Sequence, residues 1–208
     1  MKVFKKILAC LFPQKCLGCK KEDEILCPDC LGKINRPDAP YFNWIHIAAN
    51  YQDLVLKKSL WMLKYQGVKQ LAKPLAELIK ERVGNKLKTD DWLIVPIPLS
   101  KNKLRYRGFN QAELIARHLL NSQNNLLWGG NILLKTKETK SQVEIKNKEE
   151  RLANVVGSFQ VKKPELARGK KIILIDDVCT TGATMNEAKK VLKSAGAKKV
   201  AGVVVARG

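Results

Sequence analysis

The sequence is short of acid. Its 208 residues hold 19 Asp and Glu against 39 Lys and Arg, a formal net charge of +20 at pH 7. Such an excess fits a polyanionic partner (nucleic acid, a phosphorylated metabolite or an anionic membrane) or a merely soluble basic surface. Histidine is scarcer still. His46 and His118 are the two present, and neither is placed for general acid or base work; His118 reads as a surface residue of a helix. Aromatic residues amount to 6%. No apolar run approaches the ~20 residues of a membrane helix, which excludes a spanning segment of that kind. The patterns Gly-x-x-x-x-Gly-Lys and Gly-x-Gly-x-x-Gly are absent, which excludes a Walker loop and a dinucleotide fingerprint. With 45% apolar residues the chain is neither wholly disordered nor a coiled coil. Its length allows one medium domain, or one with a small appendage.

The charge is spread along the chain without a basic tail, and is densest over 134–171. Near the N-terminus, lysines precede Ile7-Leu8-Ala9-Cys10, a faint likeness to a lipoprotein box. The apolar run there is shorter than a signal region's ~7–15 residues, and Pro13 ends it. Residues 1–12 are expected to form a short amphipathic helix. The expected location is the cytoplasm, where thiols stay reduced.

Six cysteines are present, four of them as Cys16-Leu-Gly-Cys19 and, after seven residues, Cys27-Pro-Asp-Cys30. Each two-residue gap lets one turn present both thiolates to one ion, and two turns close a tetrahedral Cys₄ shell around Zn²⁺. Gly18 is expected to allow the tight turn of the first knuckle. The linker is shorter than the ~15–20 residues of common zinc ribbons, which favours a small double knuckle. Two disulfides and a redox pair are the competing readings. A reducing compartment disfavours the first, and the closeness of the two motifs the second. A filled Cys₄ shell has no open position, so the metal here is structural. Cys10 reads as a buried apolar thiol outside the ligand set.

Residues 44–51 form an apolar, partly alternating run, expected as a strand. Stretches 53–65 and 70–83 place Leu56, Leu60, Leu63 and then Leu71, Leu75, Leu78, Ile79 at helical spacing. Their Leu and Trp residues are expected in the core. Lys64-Tyr65-Gln66-Gly67 ends the first helix with a glycine cap. Lys64 there contacts a phosphate or serves as a cation at the helix C-terminus. Residues 93–99 read as a buried strand breaking into a loop, where Pro96 and Pro98 bar a central strand. The segment 100–108 follows as a loop with Lys101, Lys103, Arg105 and Arg107 and no acid. A donor-rich loop at a strand's C-terminal edge is where an α/β sheet takes an anion; a solvated charged loop is the alternative. Residues 110–120 read as a helix and 132–134 as a short strand. Residues 136–150, charged and without apolar period, read as a long mobile lid loop closed by Arg151-Leu-Ala-Asn154.

The most informative stretch is 170–184. Ile172-Ile-Leu-Ile175 is a continuous apolar run, as in a parallel strand buried on both faces. Asp176 and Asp177 end it. Thr180-Thr-Gly-Ala-Thr184 then turns into a helix that Gly196 stops, and 200–205 is the next buried strand. A helix N-terminus offers unpaired N–H groups and partial positive charge to a phosphate. Thr180, Thr181 and Thr184 add hydroxyls, and Gly182 lets the backbone approach. The two carboxylates can accept from the vicinal hydroxyls of a sugar. Together these residues can grip a 5-phosphoribosyl group at both ends.

Residues 172–184 resemble the phosphoribosyl-pyrophosphate (PRPP) motif of type I phosphoribosyltransferases. The order of the Cys₄ module, Lys64-Tyr65-x-Gly67, Pro96-x-Pro98-Leu99, Arg107-Gly-Phe-Asn-Gln111, Thr139-x-x-Gln142, Arg151-x-x-Asn154 and Phe159 is similar to that of the ComF competence-protein family, over almost the whole chain. The resemblance implies a zinc module over 1–35 and, over 36–208, an α/β phosphoribosyltransferase-like domain: a parallel sheet flanked by helices. It implies a part in the uptake of transforming DNA, with contact to single-stranded DNA. It implies PRPP binding by Asp176, Asp177, Val178, Cys179, Thr180, Thr181, Gly182, Ala183 and Thr184, with Lys101, and reaction at C1 of the ribose. Mg²⁺ is then held mainly through waters and substrate oxygens. Arg105, Arg107 and Arg151 are candidates to neutralise the leaving pyrophosphate, and 136–150 to close over it. The acceptor site falls to a hood built from 36–70 and the zinc module. Lysines stand at 101 and 103 where arginines are common in the family. Cys179 lies inside the loop, as a reactive thiol activated by the helix N-terminus or as a small filler.

Three readings therefore stand side by side: an active transferase, a non-catalytic DNA-handling factor on the same fold, and a structural zinc adaptor. Trp44, Trp61, Tyr65, Tyr106 and Phe109 lie near basic segments, which suits stacking on a single strand, although the core is the expected place for most of them.

Overall fold

A computed structural model describes residues 14–37, 42–87, 91–122, 125–138 and 153–208. The helix expected over 1–12, with Cys10, lies outside these residues. So do Thr139, Gln142, Arg151 and most of the expected lid.

In chain order the elements are α1 (Pro28–Gly32), β1 (Ile45–Asn50), α2 (Leu54–Tyr65), α3 (Ala72–Val83), β2 (Trp92–Pro96), α4 (Lys101–Arg107), α5 (Gln111–Leu120), β3 (Leu126–Trp128), β4 (Leu133–Lys135), β5 (Phe159–Val161), α6 (Pro164–Ala167), β6 (Lys171–Cys179), α7 (Ala183–Ser194) and β7 (Lys199–Arg207). Five strands form one parallel sheet in the order β1-β7-β6-β2-β3, and β4 pairs antiparallel with β5. This is the expected α/β architecture.

Both faces of the sheet are covered, as an all-parallel sheet requires. On one face, Leu56, Leu60 and Leu63 of α2, Leu75 and Ile79 of α3 and Ile115 of α5 pack on Ile173, Ile175, Val203 and Val205. Cys16, Leu26 and Leu31 of the cysteine segment join the same cluster. On the other face, Ala188 and Leu192 of α7 pack with Ile132, Leu133 and Phe159 against Ile172, Leu174 and Val204. The run 172–175 is completely buried, as its apolar continuity predicts.

Local chemistry sets the helix starts. The Asp53 carboxylate accepts from the Leu56 N–H at 3.0 Å, capping α2, and from the Asn35 N–H at 3.0 Å, tying α2 to the cysteine segment. Asn110 caps α5 by accepting from Ala112 N–H, and its amide donates to the Ile97 carbonyl.

Two expectations need correction. β2 is a central strand despite Pro96, because the proline is its last residue, opposite Ile175 in the register, and the next bond to β6 comes from the Ile97 N–H, which donates to the Ile175 carbonyl at 2.8 Å. Residues 101–107 are a helix, not a loop. Its cations alternate with apolar residues too briefly to show a period, and Gly108 ends it in the left-handed conformation.

Candidate functional site

All five parallel strands place their C-terminal ends along one edge. From β2 the chain moves outward to β3, and from β6 it moves the opposite way to β7. The connections diverge between β2 and β6, and α/β sheets bind ligands in the crevice such a divergence leaves.

Asp176 and Asp177 stand in the last turn-ward residues of β6, at this crevice. The Asp177 N–H donates to Asp176 Oδ1 at 2.8 Å. Burial first, and the neighbouring Asp177 charge second, push the Asp176 carboxyl up to about 7; Lys64 and Lys135 oppose that rise. Asp177 is 3% exposed, and Lys64 Nζ lies 2.8 Å from its Oδ1. Beyond the strand, Thr181 Oγ1 accepts from the Ala183 N–H at 3.4 Å. Gly182, at φ +79°, caps α7. A Cβ there would meet Phe42 Cε1 at 2.8 Å, so conformation and close approach both demand glycine. The first turn of α7 thus offers backbone N–H groups at the edge where the carboxylates sit.

Beside the pair opens a cavity of about 710 Å³ lined by Pro96, Pro98, Lys101, Arg105, Lys135 and Glu138, among others. Burial first, then Lys103, bring the Lys135 amine down to about 8. The Asn102 N–H donates to Glu138 Oε1 at 3.0 Å. A hollow of similar size, about 700 Å³, lies away from the carboxylate pair, where Pro28 and Leu31 face Glu77 and Lys80.

The four paired cysteines form the second centre. Their Sγ atoms all lie within 4.8 Å of one another, and Cys16–Cys27 and Cys19–Cys27 are each 3.6 Å apart. A tetrahedral ion with ~2.3 Å bonds to sulfur needs S···S edges of about 3.8 Å. The donor set therefore fits a tetrahedral thiolate-bound ion. The separations are far from a disulfide's ~2.05 Å, and the cysteines are free. Hydrogen bonding with Cys27 first, and burial second, push the Cys30 thiol up to about 12. Gly18 serves this centre by closeness: a Cβ would stand 2.6 Å from Cys30 Sγ. The left-handed residues of the knuckles are Lys20 and Asp23.

The Phosphoribosyl transferase domain family matches residues 65–208. Competence protein ComFC of Streptococcus pneumoniae is 36% identical over 137 residues, covering 66% of this chain and 56% of that protein. This chain belongs to the ComF family. ComFC of Bacillus subtilis is 33% identical over 146 residues, covering 70% and 56%. DNA utilization protein YhgH of Escherichia coli is 25% identical over 197 residues, covering 89% and 85%. The matched part spans little more than half the length of the two ComFC proteins.

Within this ComF chain the structure brings together Asp176, Asp177 and the loop 178–184, with Lys101 lining the adjoining cavity. Arg107 stacks on the Tyr65 ring at 5.3 Å and acts electrostatically on Lys64. Lys64 neither stands free for a phosphate nor merely faces the helix carbonyls; it is ion-paired with Asp177. Cys179 is a filler, not a reactive thiol: it is 3% exposed, and burial and then Asp176 push it up to about 12. His118 is on the surface, as expected. The aromatic residues contradict the expectation of core. Trp61, Tyr65 and Tyr106 are 49%, 51% and 83% exposed, and Phe109 alone of the five is buried. The helical spacing of Trp61 and Tyr65 puts them on the outer face of α2, opposite its leucines. Lys135 and Glu138 went unrecognised; the one signal was a lysine closing an apolar strand just before the polar segment.

Proposed function

We propose that this protein binds PRPP with Mg²⁺ at the β6–α7 loop and works in DNA uptake. The observation that carries the reading is the carboxylate pair Asp176–Asp177 set directly before the Gly182 cap of α7, at the switch point of the sheet. Asp176 and Asp177 hold the ribose hydroxyls, and the 180–184 backbone and hydroxyls hold the 5-phosphate. Lys101, Arg105 and Arg107 offer positive charge to the pyrophosphate from α4. Mg²⁺ brought with the ligand beside Asp176 and Asp177 would supply charge neutralisation. Transfer breaks the C1–oxygen bond to pyrophosphate and forms a bond from C1 to an acceptor, whose proton departs. Such chemistry is served by positioning and charge stabilisation more than by a nucleophilic side chain.

The names of the relatives, competence proteins and DNA utilization proteins, support the biological setting. We assign Zn²⁺ to Cys16, Cys19, Cys27 and Cys30 as a structural ion of the 1–35 module, in a reducing cytoplasm. No helix of the described residues is long and apolar enough to cross a membrane.

A second reading, direct contact with single-stranded DNA without phosphoribosyl transfer, is favoured by the exposed Trp61 and Tyr65, whose rings lie 6.2 Å apart, with Arg107 over the Tyr65 ring. Calorimetry tests the PRPP reading. PRPP titrated with Mg²⁺ should bind, and chelation of Mg²⁺ or the Asp176→Asn/Asp177→Asn double variant should abolish the heat. Binding that survives both changes removes the carboxylates from the site.

A further inference from the structure

The Lys64–Asp177 contact is the one buried ion pair among the described residues that joins a helix of the 36–70 region to the loop strand. The Lys64 side chain is 19% exposed and that of Asp177 5%. Only one carboxylate oxygen is used. Asp177 Oδ2 is buried and has no hydrogen-bond partner. A buried anionic oxygen left unpaired is costly, and in a native fold it calls for an explanation. The lysine itself is already engaged, since its ammonium lies 2.8 Å from Oδ1, at charge-assisted hydrogen-bonding distance. The contact also fixes α2. Lys64 lies in that helix's last turn, next to Tyr65, on which Arg107 of α4 stacks.

We infer that Lys64 is a positioning residue of this site: it ties down one oxygen of Asp177 and leaves the other as the acceptor presented to a ligand hydroxyl. This rests on the phosphoribosyl reading and names a part for a residue outside the loop. Lys64 does not touch the ligand. It fixes the rotamer of Asp177 and supplies the counter-charge that lets the buried Asp177 carboxylate stand beside the half-buried Asp176. The charged groups facing the pair are Lys64 from α2 and Lys135 from β4, while Arg107 of α4 faces Lys64. Lys64 lowers the proton affinity of Asp176, so its loss should move the titration of Asp176 above about 7.

The test is a double-mutant cycle on the full chain, read by calorimetric binding of Mg²⁺-PRPP across neutral pH. Lys64→Met should weaken binding and displace the pH profile upward by about one unit, a tenfold loss on its acid side. Lys64→Arg should restore most of the affinity. In an Asp177→Asn background, Lys64→Met should cost nothing more. A loss of the same size in both backgrounds overturns the proposal, because Lys64 would then act on the ligand directly. Wild-type affinity in Lys64→Met overturns it too. Should Lys64→Met not fold, Lys64→Leu, which likewise removes both the donor and the charge, carries the same comparison. Should the wild type not bind Mg²⁺-PRPP, the phosphoribosyl reading fails by itself. The Lys64 coupling is then decided by carbon-13 titration of the Asp176 carboxyl without ligand. An upward move in the variant upholds it, and an unmoved curve overturns it.

Discussion

Gly182 is held by two constraints at once, a left-handed backbone at φ +79° and the Phe42 ring where a side chain would begin. Gly182→Ala should therefore cost about 1–2 kcal/mol from the backbone alone, with a further loss of PRPP affinity as the loop shifts; a thermal melt and a binding titration read the two effects separately. Asp176 makes a pH prediction. Burial first, and the Asp177 charge second, push its carboxyl up to about 7, above the 3.8 of an unperturbed side chain. The folded state binds the proton more tightly across that window, so stability without ligand should decline as pH rises from about 4 to about 7 and then level off. Ligand affinity should run the other way, rising as Asp176 ionises. A melt series over pH checks the sign, and stability that climbs over the same window contradicts the burial of Asp176. Cys179, buried and pushed up to about 12, should resist alkylation near pH 8 until the protein unfolds. Asp176, Asp177 and Gly182 were legible in the sequence because they fall within seven chemically distinctive residues, 176–182. Lys64 and Lys135 were not legible as partners of the pair, because only the packing of α2 and β4 onto the sheet edge brings them near it.

At the scale of elements, the Cys₄ segment and the sheet share one core. Arg82 of α3 joins them, donating to the carbonyls of Gly32 at 3.3 Å, Ile34 at 2.7 Å and Ala48 at 3.2 Å. Arg82→Ala leaves those carbonyls short of a donor and should cost about 2 kcal/mol or more, a fall in melting temperature of about 4–8 °C. Arg82→Lys should recover little of it, since one ammonium cannot span the fork. Cys27→Ser should release the metal and unfold the cysteine segment, because ion binding in such sites is folding energy; unchanged metal content would refute the four-thiolate centre. The helices and buried strands were readable where apolar spacing ran for several turns, as in α2, α3 and α7. α4 was not. Its seven residues carry four cations and bury no side chain, so no period marks it. Trp61 was misread for a related reason: its residue type suggests burial, while its phase on α2 faces outward.

Across the whole molecule, the net charge of +20 suits an anionic ligand or partner. Single-stranded DNA held on the Trp61–Tyr65 face should lose affinity steeply with added salt, and Trp61→Ala should weaken it by about 1–3 kcal/mol. Binding indifferent to salt and to Trp61 would remove that face from any DNA role. PRPP binding should instead follow Mg²⁺ and the two aspartates.

A working phosphoribosyl site should show in a thermal melt with and without Mg²⁺-PRPP. At 100 times Kd the ligand should stabilise the fold by about 2.7 kcal/mol, a rise of about 5–10 °C for a chain of this size, lost in Asp176→Asn/Asp177→Asn. A melting temperature unmoved by Mg²⁺-PRPP at millimolar concentration would contradict the account and leave the loop as inherited architecture.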